Sequence, residues 1–194
     1  MPIGWSSLTF TPSGEAVQSL AESWKWLIKE PFSPVLFSIL GDVFLQPESG
    51  GVWWLNTGTA ELTRVADSVN EFRTLLGTDL ANNWFMPGLV ESLHKAGKVP
   101  GEGECFTYAI LPVFREGKYV ADNLNPVPAR EAFGYTGDMH RQIASLPDGA
   151  KVKVSIGPEP VADERWVKNS SESADPLETR ASTGFPRIPG SSSE

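Results

Sequence analysis

The sequence holds a single cysteine, Cys105, in 194 residues. No internal disulfide is possible, so the fold must rest on packing, and a reducing compartment fits that usage. Histidine is nearly as scarce, with only His94 and His140. Neither has a second His or a Cys at metal-ligand spacing, so no metal site is expected. Basic residues are in deficit: 16 Lys and Arg face 24 Asp and Glu, for a formal net charge of −8. A surface of that sign repels phosphate backbones and disfavours nucleic acid, while it attracts a basic partner. No apolar run approaches the roughly 20 residues of a membrane helix. The start, "MPIGWSSLTFTPSGEAV", lacks a basic stretch followed by an apolar one. A signal peptide is therefore not expected, and the cytoplasm is the expected location. The patterns G-x-S-x-G, H-E-x-x-H and Walker A are missing too. No cofactor is expected.

What the chain has is large aromatic area, with seven Trp and ten Phe. Each ring removes roughly 150–250 Å² from water when buried, enough for a core without covalent staples. Ser13 reads as a helix N-cap with Glu15 in the first turn. Val17, Leu20, Trp24, Leu27 and Ile28 follow at helical spacing, and Pro31 is the expected stop. "PVLFSILGDVFLQ" reads as a turn of helix passing into a strand around 42–46. "PESGG" is a turn, "VWWLNT" the returning strand, and "TAELTRVA" a third strand after a bend at Gly58. Ser68 and Glu71 form a capping box before a helix that buries Val69, Phe72, Leu75 and Leu76. Another helix runs from about Pro87 to Ala96, with Gly97 as its C-cap. Strands are expected at 105–111 and in "YVADNL", joined by the turn "REGK". "EAFGYTGDMHRQIASL" reads as a short strand or loop leading into a helix with Met139, Ile143 and Leu146 inward. "AKVKVSI" alternates with period two and closes the domain.

From Gly157 the composition turns to Pro, Ser and Glu without periodicity. Seven acids against four bases give this stretch −3, leaving −5 on the body. The organisation expected is one α+β domain over 1–156 and a disordered acidic tail over 157–194. Strands and helices come in runs, so the sheet is expected to be mostly antiparallel, packed with three to four helices.

Two adjacent tryptophans sharpen the picture. In "VWWLN" period two sends Val52 and Trp54 to one face and Trp53 and Leu55 to the other. Both faces are apolar, so both need cover, from helices over 16–28, 69–76 and 87–96 or from another protein. A tryptophan left partly exposed would serve as an interface anchor.

The order of these segments resembles the C-terminal domain of the Tdi-type immunity proteins of type VI secretion systems. The motifs that carry it are Gly41-Asp42-Val43-Phe44 and then Val65, Ala66, Ser68, Glu71 and Phe72. Gly97, Gly103, Cys105, Tyr108 and Pro112 follow in order, and "GDMHRQI" over Gly137–Ile143 completes the set. Coverage runs from about Trp24 to Val154. The chain departs from the pattern at "REGK", where the family usually has a double glycine, and in the tail over 157–194, which has no counterpart. Relatives often carry a separate N-terminal domain as well, and none is expected within these 194 residues.

The resemblance implies a non-catalytic protein that neutralises a toxin, a DNase being the characteristic case, by direct binding. An acidic inhibitor suits a toxin with a basic groove. The residues expected to meet the partner are Asp42, Trp53, Glu61 and Asp67, taken as exposed acids and an aromatic. Two other readings stay open. One is a general interaction or scaffold module without a toxin. The other is an enzyme using Cys105 or His140, which requires the two to converge in a cleft; a buried strand cysteine is more often an inert small hydrophobe.

Overall fold

The computed structural model describes residues 3–147 and 149–152. Two short elements open the chain, α1 (Trp5–Leu8) and β1 (Thr9–Phe10). Then come α2 (Gly14–Trp24), β2 (Phe32–Ser38), β3 (Val43–Pro47), β4 (Val52–Asn56) and β5 (Glu61–Ala66). Three helices follow: α3 (Val69–Leu75), α4 (Leu80–Phe85) and α5 (Pro87–Lys95). A hairpin of β6 (Glu104–Tyr108) and β7 (Leu124–Pro128) leads into α6 (Ala129–Ile143). The class is α+β, as the runs of elements implied. Strands β1 to β5 pair in sequence order, all antiparallel.

Both faces of this sheet are covered, which is what "VWWLN" demanded. Val52 and Trp54 turn toward Phe44, Phe72, Trp84 and Phe85, so α3 and α4 pack on that side. Trp53 and Leu55 turn the other way, toward Leu20, Trp24 and Phe133 of α2 and α6. Leu20 and Trp24 are fully sealed, each worth roughly 1.5–3 kcal/mol of apolar burial or more. A third core lies under the small β6–β7 sheet, where Val90 and Leu93 of α5 meet Phe106, Leu111 and Leu124. The helix expected over 87–96 thus covers the hairpin, and the unforeseen α4 takes its place on the main sheet.

Local chemistry explains the element ends. The Ser13 hydroxyl accepts from the Ala16 N–H at 3.2 Å. Ser68 Oγ accepts from the Glu71 N–H at 3.1 Å, and Glu71 Oε2 from the Asp67 N–H at 2.7 Å. The capping box therefore forms, with its return arm one residue earlier than the usual N-cap amide.

Several sequence expectations are corrected. The segment 32–38 is a strand, not a turn of helix, and the chain reverses over 39–42, where Gly41 takes φ +87°. The bend before β5 is made by Asn56 and Ala60 more than by Gly58. Asn56 Oδ1 accepts from the Gly58 and Thr59 N–H groups, and Ala60 carries the positive φ, +59°. "YVADNL" forms no strand until Leu124; a 3-10 turn occupies Ala121–Asn123. The whole of 129–143 is helical, and it buries Ala132, Phe133, Thr136, Gly137 and His140. Met139 and Ile143 are only partly buried and Leu146 is exposed. Residues 150–152 belong to no strand. The rest of the expected closing strand and the tail from 157 lie outside the described residues.

Helices α2 and α6 approach closely because small residues face each other. A Cβ on Gly137 would sit 2.7 Å from Ser23 Cβ and 2.8 Å from the Ser23 carbonyl oxygen. The Ser19 hydroxyl donates to the Arg130 carbonyl at 2.9 Å, and Trp26 Nε1 to the Gly137 carbonyl at 3.2 Å.

Candidate functional site

Three of the four residues expected to meet a partner lie on the last two strands of the sheet or just past them: Trp53 on β4, Glu61 on the edge strand β5 and Asp67 directly after it. Trp53 is half-buried, pairs across the strands with Arg64, and donates from Nε1 to the Gly50 carbonyl at 3.4 Å. Glu61 is exposed at the start of β5, opposite Asn56. Asp67 follows that strand with its side chain 83% exposed, in an ion pair with Arg64 at 3.1 Å. Alternation places Arg64 with Leu62 on the α2–α6 side, and Glu61 with Thr63 and Val65 on the other. Neither neighbouring tryptophan is sealed. Trp54 is also half-buried, stacked against Phe44 at 6.5 Å between ring centroids.

The fourth residue, Asp42, is not a surface acid. It is 3% exposed, and the expectation of an exposed carboxylate there is overturned. Oδ1 accepts from the Thr57 N–H at 2.9 Å and from its hydroxyl at 3.3 Å, while Oδ2 accepts from Trp54 Nε1 at 3.3 Å. The carboxyl ties the start of β3 to the end of β4. Burial pushes its pKa from 3.8 up to about 7, against the three hydrogen bonds, which pull it down. In sequence an Asp after Gly looks like turn surface; nothing local reveals that Thr57, fifteen positions on, closes over it.

Thr57 also receives the helix α6. His140 Nε2 meets the Thr57 carbonyl at 3.0 Å, so the ring carries its proton on Nε2 and donates it. The ring is 2% exposed, and burial lowers its pKa to about 4, which keeps it neutral at physiological pH. Its edge reaches the floor of an apolar depression of about 210 Å³ beside Trp26, Ala60, Val113, Ile143 and Leu146. Cys105 is fully buried, and burial pushes its thiol up to about 12, the nearby Asp42 adding to the effect. A thiol in that state is a poor nucleophile at neutral pH, and the neutral imidazole already spends its proton on a backbone carbonyl. Among the described residues no cluster of His, Cys, Asp and Glu has the makings of a metal site, and no helix is long and apolar enough to cross a membrane.

Residues that the sequence did not single out hold the rim together. Arg64 connects Trp53 to Asp67, and its side chain crowds Gly51 so closely that a Cβ there would lie 2.6 Å from Nε. Asn56 shapes the β4–β5 turn through its side-chain oxygen. The only sequence signal for either was its register position, since charge and turn propensity are common elsewhere in the chain.

Comparison with curated proteins returns no match. The strands β1 to β4 and nearly all of β5 precede the segment for which a family is found, so Asp42, Trp53 and Glu61 lie outside it and Asp67 within it. Residues 66–140, from the last residue of β5 to His140 in the last turn of α6, match the family described as T6SS immunity protein Tdi1, C-terminal.

Proposed function

We propose that this protein is a non-catalytic inhibitor that neutralises a cognate secreted toxin by direct binding, inside the cell that makes the toxin. The observation that carries this reading is the match of residues 66–140 to an immunity-protein family of type VI secretion systems. The chemistry of the interior supports it. The two side chains most suited to nucleophile or base, Cys105 and His140, are buried and held in unreactive states. The net charge of −8 suits a toxin with a basic active-site groove, such as a DNase, and disfavours nucleic acid and anionic membranes as partners. In this reading residues 1–156 form the binding unit and 157–194 a separate acidic tail.

The contact face we assign is the β4–β5 rim, with Trp53 as the aromatic anchor and Glu61 and Asp67 as the charges that guide encounter. Co-expression with the product of the adjacent gene tests the function. A stable complex and restored growth support it; toxicity unrelieved by this protein, with no complex on co-purification, overturns it. Glu61→Lys with Asp67→Lys should slow association more than it speeds dissociation, and the deficit should shrink as salt is raised.

A further inference from the structure

We propose that β5 is a docking strand: an extended, basic segment of the toxin adds to it as the next strand of the sheet. This inference rests on the toxin-binding reading and specifies how the partner is held. Among the described residues strand β5 ends the sheet, paired with β4 alone. Alternate backbone N–H and C=O groups of an antiparallel edge strand point away from its neighbour, ready to pair with another chain.

The two edges of this sheet are unlike. On the far side β2 carries Pro34, which offers no N–H, a register irregularity between Pro34 and Leu36, and the short strand β1 over its end. Those are the devices by which proteins blunt an edge. Strand β5 has one register irregularity of its own, where Val65 bulges opposite Val52 and Trp53, but it has no proline, no glycine and no strand laid over its end among the described residues. Its residues 61–65 are all exposed or half-buried.

The side chains point to the same use. Leu62 packs at the border of the α2–α6 core and Val65 at the border of the α3–α4 core. Both are half-buried, one on each face of the sheet, so each core runs out at this rim. A strand laid beside β5 would extend both layers at once, covering Leu62 on one face and Val65 on the other. Alternation is what an extended segment supplies and a helix does not. The charges decide which segment. Glu61 opens the strand and Asp67 and Glu71 follow it, against one base, Arg64, which is already paired with Asp67, and the chain carries −8 overall. A second copy would bring the same acidic surface against itself, whereas a basic segment is attracted.

The test is amide hydrogen exchange on the full chain, alone and in complex with an inactive variant of the adjacent gene's product. Amides within 61–66 should slow by roughly tenfold or more on binding, with no comparable change in β2. Leu62→Lys and Val65→Lys, one on each face, should each weaken the complex by roughly 5- to 30-fold. A complex of full affinity with unchanged exchange over 61–66 overturns strand addition and leaves toxin binding standing. Absence of any complex overturns both. A dimer in the isolated protein that protects the same amides would assign the edge to a second copy and overturn the proposal.

Discussion

Replacing Asp42 by Asn separates two opposing titrations that the fold places on either side of Thr57. In the folded protein the Asp42 carboxyl titrates near 7 against an ordinary 3.8. A raised pKa means that the native state holds the proton more tightly than the unfolded chain. Its contribution is therefore fully present below pH 3.8 and is lost as pH rises through 7. At about 1.36 kcal/mol per unit the loss is roughly 4 kcal/mol. His140 works in the opposite sense. Its native pKa near 4 lies below the ordinary 6.5, so its contribution is present above 6.5 and is lost as pH falls through 4, by roughly 3 kcal/mol. Between pH 4 and 6.5 the two slopes nearly cancel. Asp42→Asn keeps an acceptor for the Thr57 N–H and removes one titration, which leaves the His140 slope unopposed. Urea denaturation of both proteins at half-unit steps from pH 4 to 8 reads the difference directly. The variant should gain on wild type by roughly 4 kcal/mol as pH climbs from 4 to 7, whatever the exposed carboxylates contribute in common. A difference that stays constant across that range would refute the reasoning. It would mean that the bonds from Thr57 and Trp54 outweigh burial and hold Asp42 ionised throughout.

Other consequences are simpler to state. Gly137→Ala should lower stability by about 1–3 kcal/mol, since the new methyl meets Ser23 backbone at 2.8 Å. Gly134→Ala meets only the Ser19 hydroxyl at 3.4 Å and should be neutral or stabilising through helix propensity; thermal melts of the pair decide. Ser68→Ala removes the cap of α3 and should cost about 0.5–2 kcal/mol in chemical denaturation. Cys105 in the native protein should resist an aromatic disulfide reagent at pH 8 and react promptly once denatured. Cys105→Ala should leave the proposed toxin protection intact in a co-expression growth assay, despite the small cavity it creates.

The parts of the fold legible in the sequence were those with local causes. Ser13, Ser68 and Glu71 announced their helices because a cap is a contact between residues three apart. "VWWLN" announced a sheet covered on both sides because period two alone assigns its faces. The misses have tertiary causes. "EAFGYTGDMH" holds two glycines, a tyrosine and a threonine, all weak helix formers, yet it is helical because Gly134 and Gly137 let α2 come close. Strand β2 carries apolar residues without alternation, and strand β7 carries two prolines; each looks unlike a strand until its neighbour is known. Of the residues expected to meet a partner, Glu61 and Asp67 are exposed and Trp53 is half-buried. Asp42 was misplaced, because an acid that is buried and one that is exposed look alike until the residue covering it is found.

The crossing of α2 and α6 sets a condition on synthesis. The groups that meet there, Ser19 with Arg130 and Trp26 with Gly137, are 111 positions apart in the chain. At ribosomal speeds of about 5–20 residues per second, roughly 6 to 22 s separate the emergence of one partner from the other. Throughout that interval Leu20 and Trp24 have only the strands to pack on, Val43, Leu45 and Leu55 among them, and lack Ala132 and Phe133 of α6. The face that α2 offers to α6 is therefore complete only in a finished chain, and whatever that face supports is unavailable until synthesis ends.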